Sequence, residues 1–218
     1  MAAGEGRRMR PITERYPKSI LPIDGRPVIV SLLHELRSAG VERATIVTGH
    51  LADQVEALLD GFPIELRLVR QPSPDGSADA VRRGLDRLPC LVVAADTLFS
   101  PGDIARFAAT HGHAVAGRRE PPPSPPHRRP MRIQNGRVTK ILDDDPANPI
   151  AGAPLWRLGE NFDPTDLDGL GGPPYELADA FQRLIDAGEV VRGVEIGPTR
   201  DLTYPQDLVA ENFEYLRG

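Results

Sequence analysis

The 218-residue chain carries a formal net charge of −5 and a single cysteine. That length suits one domain, or one with a small appendage, and is enough to bury a full core. The acidic balance argues against a general nucleic-acid surface, the lone cysteine excludes an intrachain disulfide framework, and no apolar run approaches the ~18 residues of a membrane span. With no signal-peptide core either, the expectation is a cytoplasmic protein acting on small molecules, with neither nucleic acid nor membrane as partner.

The chain opens with AAGEGRRMRPITERYPKSILP at 2–22, which has two glycines one residue apart, several arginines and one lysine beside a proline. Gly4 and Gly6 let the backbone turn with positive φ and bring its N–H groups close to an anion. Arg8 supplies a cation suited to bidentate contact with phosphate oxygens. A surface turn beside a basic helix start would look the same. Lys18 shifts the balance, because it and Lys140 are the only lysines in a chain that otherwise uses arginine. A lysine retained in a glycine- and arginine-rich loop points to a site that needs a compact ammonium.

Pro27 then opens a helix with Val28, Leu32, Leu33 and Leu36 on one face and Gly40 as its stop. RATIVTG reads as a strand, DQVEALLDG as a short helix and PIELRLVRQ as a second strand. Helical spacing returns over 77–88, with Ser77 as its cap. CLVVAAD follows as a fully apolar third strand, with Cys90 a small buried hydrophobe. Alternating strand and helix imply a parallel sheet covered on both faces, a Rossmann-like α/β layer. Such sheets bind ligands at the carboxyl ends of their strands. The loop at 3–9, the turn after Val69 and the turn after Ala95 all lie at such ends.

Within QPSPDGSADA, Gln71 has an amide that both donates and accepts, as recognition of a nucleobase edge requires, and Gly76 allows close backbone approach. Asp96, directly after an apolar strand, reads as a strand-end or turn residue. Beyond it, HAVAGRR is another strand. EPPPSPPHRRP at 120–130 is a loop, a lid or plain connector, because so many prolines can neither join a sheet nor continue a helix. Arg118, Arg119, Arg128 and Arg129 either line the site or solvate that loop, and His111 and His113 lack a third ligand nearby in sequence. MRIQNGRVTKIL is a hairpin turning at Asn135 and Gly136. AGAPLWRLG is a strand, 174–191 an amphipathic helix with Leu177, Phe181, Leu184 and Ile185 inward, and Pro205 starts a last helix.

AAGEGRRMRP, PKSILP and DGRPVI together resemble the N-terminal region of the sugar-1-phosphate nucleotidyltransferases, the NDP-sugar pyrophosphorylases, whose pattern runs LAAGxGTRMxP, PKxLLP and GxP. QPSPDGSADAV is similar to the family's Gln followed by a GTAxAV-like loop, and YELADAF and DLTYPQDL are similar to its ELxDAI and DxxTPEDL stretches. The resemblance implies a single three-layer nucleotidyltransferase domain over 1–218, with a mostly parallel central sheet. A nucleotide-binding half would run over about 1–118 and an acceptor-binding half over about 119–218. It also implies attack of a sugar 1-phosphate on a nucleoside triphosphate with release of pyrophosphate. In that alignment Arg8 and Lys18 are catalytic, Ala3, Gly4, Gly6, Gln71, Gly76 and Ser77 hold the nucleotide, and Asp96 and Asp201 hold Mg²⁺. Asp144, Asp145 and Glu176 would bind the acceptor.

Several positions depart from the pattern. Arg7 replaces a threonine, Ala95 a glycine and Ser77 a threonine. DDDP at 143–146 stands where the family has EKP, and Thr203 and Tyr204 replace glycine and threonine. The chain opens where the family has the end of a first apolar strand. That strand reads as truncated, leaving its neighbours with unpaired edges. The expectation is a start further upstream or, if Met1 is the native start, poor stability and low activity. The base, the sugar and the oligomeric state stay open. So do three alternatives: a cytidylyltransferase for a phosphate such as phosphocholine, a guanylyltransferase for a pterin cofactor, which PKSILP and GSADAV fit poorly, and a catalytically silent nucleotide-sensing protein on the same fold.

Overall fold

The computed structural model describes residues 1–120, 130–145 and 147–213. Its elements run in the order β1 (Pro22–Ile23), β2 (Arg26–Pro27), α1 (Val28–Ser38), β3 (Arg43–Thr48), α2 (Ala52–Leu59), β4 (Glu65–Arg70), α3 (Ser77–Gly84), β5 (Cys90–Val93), β6 (Thr97–Leu98), α4 (Asp103–Ala108) and β7 (His113–Arg119). The second half adds β8 (Arg132–Gln134), β9 (Arg137–Lys140), β10 (Ile150–Leu158), α5 (Leu177–Asp186), β11 (Val191–Ile196), β12 (Arg200–Asp201) and α6 (Pro205–Ala210). The proline-rich stretch at 121–129, with Arg128 and Arg129, lies outside the described residues, as does Pro146.

The main sheet has the order β5-β10-β7-β11-β9-β8, and β3 and β4 form a separate parallel pair. β7 and β11 are parallel, but β10 runs antiparallel to both β5 and β7. The sheet is therefore mixed rather than mostly parallel. The cause is β10, which follows the β8–β9 hairpin and inserts between two strands that run the other way.

Two apolar clusters cover the sheet and make three layers. Along β7, Ala114 and Ala116 join one cluster with Ile29 and Leu33 of α1, Val55 of α2 and Phe107 of α4. Val115, pointing the other way, joins Ala78 and Val81 of α3 and Leu177 and Phe181 of α5. This is the period-two alternation of a strand buried on both faces. Phe181 is fully buried, as are Val28 and Ile29, and each such side chain contributes roughly 1.5–3 kcal/mol. Helix lengths follow local chemistry. α3 ends at Gly84, short of Leu88, because glycine is a poor helix former. α5 starts after Pro173 and Pro174 and stops before Gly188, whose φ is 89°, so Val191 is free to begin β11.

Among the described residues, Met1 and Ala2 lie between β3 and β5. Met1 N donates to Val93 O at 2.7 Å, Ala95 N donates to Met1 O at 2.8 Å, and Ala2 N donates to Val47 O at 2.7 Å. Below this stitch the two strand edges face each other across a cavity of about 510 Å³, lined by Leu32, Leu33 and Leu36 of α1 and Val81 and Leu85 beside α3. No helix among the described residues is long and apolar enough to cross a membrane.

Candidate active site

At the other end of that stitch the chain leaves the sheet as the glycine loop. His50 N donates to Ala3 O at 3.3 Å, fixing where the loop departs. Gly6 adopts φ 61°, and a Cβ there would meet Thr13 Cγ2 at 2.9 Å, so the turn requires glycine. Thr13 Oγ1 and Met9 N both donate to Gly6 O, at 2.9 and 2.8 Å. Met9 is buried and anchors the loop to the core. Arg7 is held by Glu5 at 2.7 Å, whereas Arg8 makes no ion pair with a described residue and lines the cavity. Both arginines line the cavity, the one in the threonine position paired with Glu5 and the next without an ion pair among the described residues.

Lys18 sits in a 3₁₀ turn, with its Nζ 2.5 Å from Asp96 Oδ2. Burial pushes the Asp96 carboxyl up, but the charge and hydrogen bond of Lys18, with the Thr97 hydroxyl, outweigh it and hold Asp96 below its ordinary range. β6 pairs with β12 so that Asp201 lies opposite Thr97, which brings Asp201 to the strand beside Asp96. Asp201 Oδ2 accepts from Thr203 Oγ1 at 3.1 Å. Buried beside Lys18, the Ser19 hydroxyl has no partner among the described residues.

Gln71 closes β4, with its N–H on Thr48 O at 2.7 Å. The following loop packs against the start of α5. Gly76 has φ 102°, and a Cβ there would fall 2.3 Å from Tyr175 O. Ser77 is not the cap of its own helix: its hydroxyl donates to Glu176 Oε2 at 2.5 Å and accepts from Leu177 N at 2.8 Å. Sequence spacing suggested a cap because Ser77 opens the helix, and the tertiary contact with Glu176 takes its hydroxyl instead.

One cavity of about 440 Å³ gathers Ala3, Gly4, Gly6, Arg8, Lys18, Gln71, Gly76, Ser77, Asp96 and Glu176. Thr203 and Pro174 also line it. Thr203 stood in the DLTYPQDL stretch only as a departure from the pattern, and Pro174 carried no motif signal; both reach the site through the return of distant chain. Asp201 stands behind Thr203. Asp144 and Asp145 do not line the cavity: Asp144 pairs with Lys140 at 2.6 Å, and Asp145 accepts from Ala147 N at 2.9 Å. Arg118 is buried on Glu120 and Thr199, at 2.6 and 2.8 Å, and Arg119 pairs with Glu195. Cys90 is half-buried, and burial pushes its thiol up to about 11, away from the low range of reactive cysteines. His113 Nδ1 accepts from Gly159 N at 3.1 Å inside the core, a structural role.

No group of three or more histidine, cysteine or carboxylate side chains gathers into a metal cage among the described residues. Asp96 lies in the turn before β6, and Asp201 on its partner strand β12. Carboxylate oxygens suit a hard cation such as Mg²⁺, which takes one or two of them and completes its shell with water and substrate phosphates. Backbone N–H groups, Arg8 and the half-buried Lys18 around one cavity can neutralise a polyphosphate and orient it, whereas the Asp96 carboxylate would act on it only through a cation. Among the described residues the cavity is lined by no histidine or cysteine, and its Ser77 hydroxyl is hydrogen-bonded to Glu176.

The MobA-like NTP transferase domain description matches residues 1–141. Over 154 residues the chain is 32% identical to the bifunctional protein GlmU of Halorhodospira halophila, covering 68% of this chain and 31% of that protein. Over 63 residues it is 41% identical to the 2-aminoethylphosphonate cytidylyltransferase of Lancefieldella rimae, covering 29% of this chain and 26% of that one. The chain thus spans about a third or less of the length of these relatives. The structure of the inositol-1-phosphate CTP transferase from T. maritima superposes with a TM-score of 0.83 at 18% identity, covering 99% of this chain and 91% of that one, which shows the shared α/β fold. With the matched segment carrying the glycine loop, Lys18, Gln71 and Asp96, the chain belongs to the MobA-like NTP transferase family.

Proposed function

We propose that this protein condenses a nucleoside triphosphate with a sugar 1-phosphate, releasing pyrophosphate and forming an NDP-sugar. The observation that carries the reading is the Lys18–Asp96 pair, held at 2.5 Å in a cavity that the glycine loop and Gln71 also line. An acceptor phosphate oxygen attacks the α-phosphorus; the new P–O bond forms as the α–β bridging bond breaks, and its electrons leave on pyrophosphate. The nucleophile is largely ionised near neutral pH, with a second pKa of about 6. It therefore needs no general base, in keeping with the site's composition.

What the reaction needs is charge neutralisation and in-line placement. Arg8 and the loop amides take the outgoing phosphates. Lys18 stands between donor and acceptor phosphates, Gln71 meets the base, and Glu176 lies on the acceptor side. Asp96 and Asp201 would hold Mg²⁺, which supplies Lewis-acid neutralisation of the phosphate oxygens when bound. The division into a nucleotide half at about 1–118 and an acceptor half at about 119–218 fits this arrangement, since Glu176 and Thr203 come from the second half.

A second reading, transfer of a cytidylyl group to a non-sugar phosphate or phosphonate, is favoured by the 41% identity over 63 residues with the 2-aminoethylphosphonate cytidylyltransferase. Pyrophosphate release measured with Mg²⁺ tests both, across the four nucleoside triphosphates and a panel of sugar 1-phosphates, phosphocholine and 2-aminoethylphosphonate. One productive pair, abolished by Asp96→Asn, is expected. Silence throughout, from folded protein that binds no nucleotide, overturns both.

A further inference from the structure

The amide nitrogen of Gln71 is held twice. Nε2 donates to Gly76 O at 3.1 Å and to Asp79 Oδ2 at 2.8 Å. Both partners only accept, one a backbone carbonyl and the other a carboxylate, so turning the amide over would set its oxygen against two oxygens. The partners of a glutamine decide which way it points, and these leave one answer. Its N–H groups face the protein, and Oε1 is the polar atom left to a ligand in the cavity that Gln71 lines.

The clamp is itself secured. Asp79 lies in the first turn of α3 with its side chain 3% exposed, paired with Arg82 at 3.1 Å and Arg83 at 2.6 Å, three and four residues on. Burial pushes its carboxyl up, but Arg83, Gln71 and Arg82 outweigh that and hold it at about 2. Arg82 reaches on to Asp168 at 3.3 Å, which ties the clamp to the second half of the chain.

We propose that Asp79 is a positioning residue for base recognition: by holding the Gln71 amide nitrogen, it makes the cavity present an acceptor, Gln71 Oε1, and so selects a base edge offering an N–H donor there. This rests on the nucleotidyltransferase reading and adds the direction of the hydrogen bond. A freely turning glutamine offers either polarity and discriminates little. A clamped one leaves two acceptors face to face when the donor is missing, an unpaired arrangement that costs affinity. Asp79 stands behind Gln71 and acts through it.

The test compares wild type, Asp79→Asn and Gln71→Met in pyrophosphate release and equilibrium nucleotide binding. Each of the four nucleoside triphosphates is set against a counterpart lacking a donor N–H: the 2-pyrimidinone nucleotide for CTP, N3-methyl-UTP, purine riboside triphosphate for ATP and N1-methyl-GTP. For its preferred nucleotide the wild type should lose about tenfold or more in kcat/KM on donor deletion, carried by KM. In Asp79→Asn, whose amide can donate to Gln71 Oε1 and let it turn, the penalty should shrink to about threefold or less with kcat little changed. Gln71→Met should show none. If Asp79→Asn does not fold, Asp79→Ser, too short to reach Gln71, is read in the same way. An active wild type with no penalty, or a folded Asp79 variant that keeps the full penalty, overturns the positioning role alone. A wild type that binds none of the four nucleotides overturns the nucleotidyltransferase reading with it.

Discussion

Lys18 Nζ donates to Asp96 Oδ2 at 2.5 Å, joining residues 78 positions apart. Each charge compensates the other inside the cavity, Lys18 being 15% and Asp96 33% exposed at the side chain. In the proposed reaction the ammonium is already in place before any phosphate arrives, and a polyphosphate would have to compete with Asp96 for it.

Lys18→Ala should lower turnover by about 10²–10³-fold, the range for removing one preorganised charge partner, while circular dichroism shows an intact fold. Pyrophosphate release within a few-fold of wild type would remove Lys18 from the reaction.

Asp96→Asn should abolish pyrophosphate release at every Mg²⁺ concentration. In EDTA the same variant should bind nucleoside triphosphate a few-fold tighter than wild type, by about 1 kcal/mol, because Lys18 is no longer neutralised by a carboxylate. Titration calorimetry with and without metal reads both effects, and weaker binding in EDTA would show that the pair does not compete with phosphate.

Glu35 on α1 has a buried Oε1 with no partner among the described residues. Burial first, then the charge of Asp103, pushes its carboxyl from 4.5 up to about 7. The unfolded chain therefore releases this proton before the folded one, and stability falls as pH rises from about 4.5 through about 7. Glu35→Gln should be more stable than wild type at pH 8, on the order of 1 kcal/mol, and little different at pH 4. Urea denaturation at the two pH values measures the slope; equal differences at both would show that Glu35 is not the group responsible.

Gly76→Ala places a Cβ 2.3 Å from Tyr175 O at φ 102°. Strain and clash together should cost at least about 2 kcal/mol, a drop of roughly 4–8 °C in Tm. KM for the nucleotide should rise as well, since Gly76 O is one of the two atoms holding Gln71. An unchanged Tm would mean that the loop relaxes freely away from Tyr175.

The site was legible where its chemistry is local. Gly4, Gly6, Arg8 and Lys18 lie in one short stretch whose composition makes poor core and good phosphate contact, and Gln71, Gly76 and Asp96 each follow a strand. Asp79 carries a local signal of its own, two arginines three and four residues ahead on one helix face. Ser77 and Glu176 lie 99 residues apart, and no local pattern shows their contact. The direction of β10 was hidden for the same reason, being set by partners at 90–93 and 113–119. Asp144 and Asp145, placed at the acceptor by resemblance, turn instead to Lys140, Arg132 and their own backbone.

The loop after β4 and the start of α5 are joined through backbone: Tyr175 N donates to Asp75 O at 2.7 Å, and Ala78 N donates to Tyr175 O at 2.9 Å. Two segments distant in sequence therefore share one wall of the cavity, and a change that loosens the start of α5 reaches Gln71 without touching it.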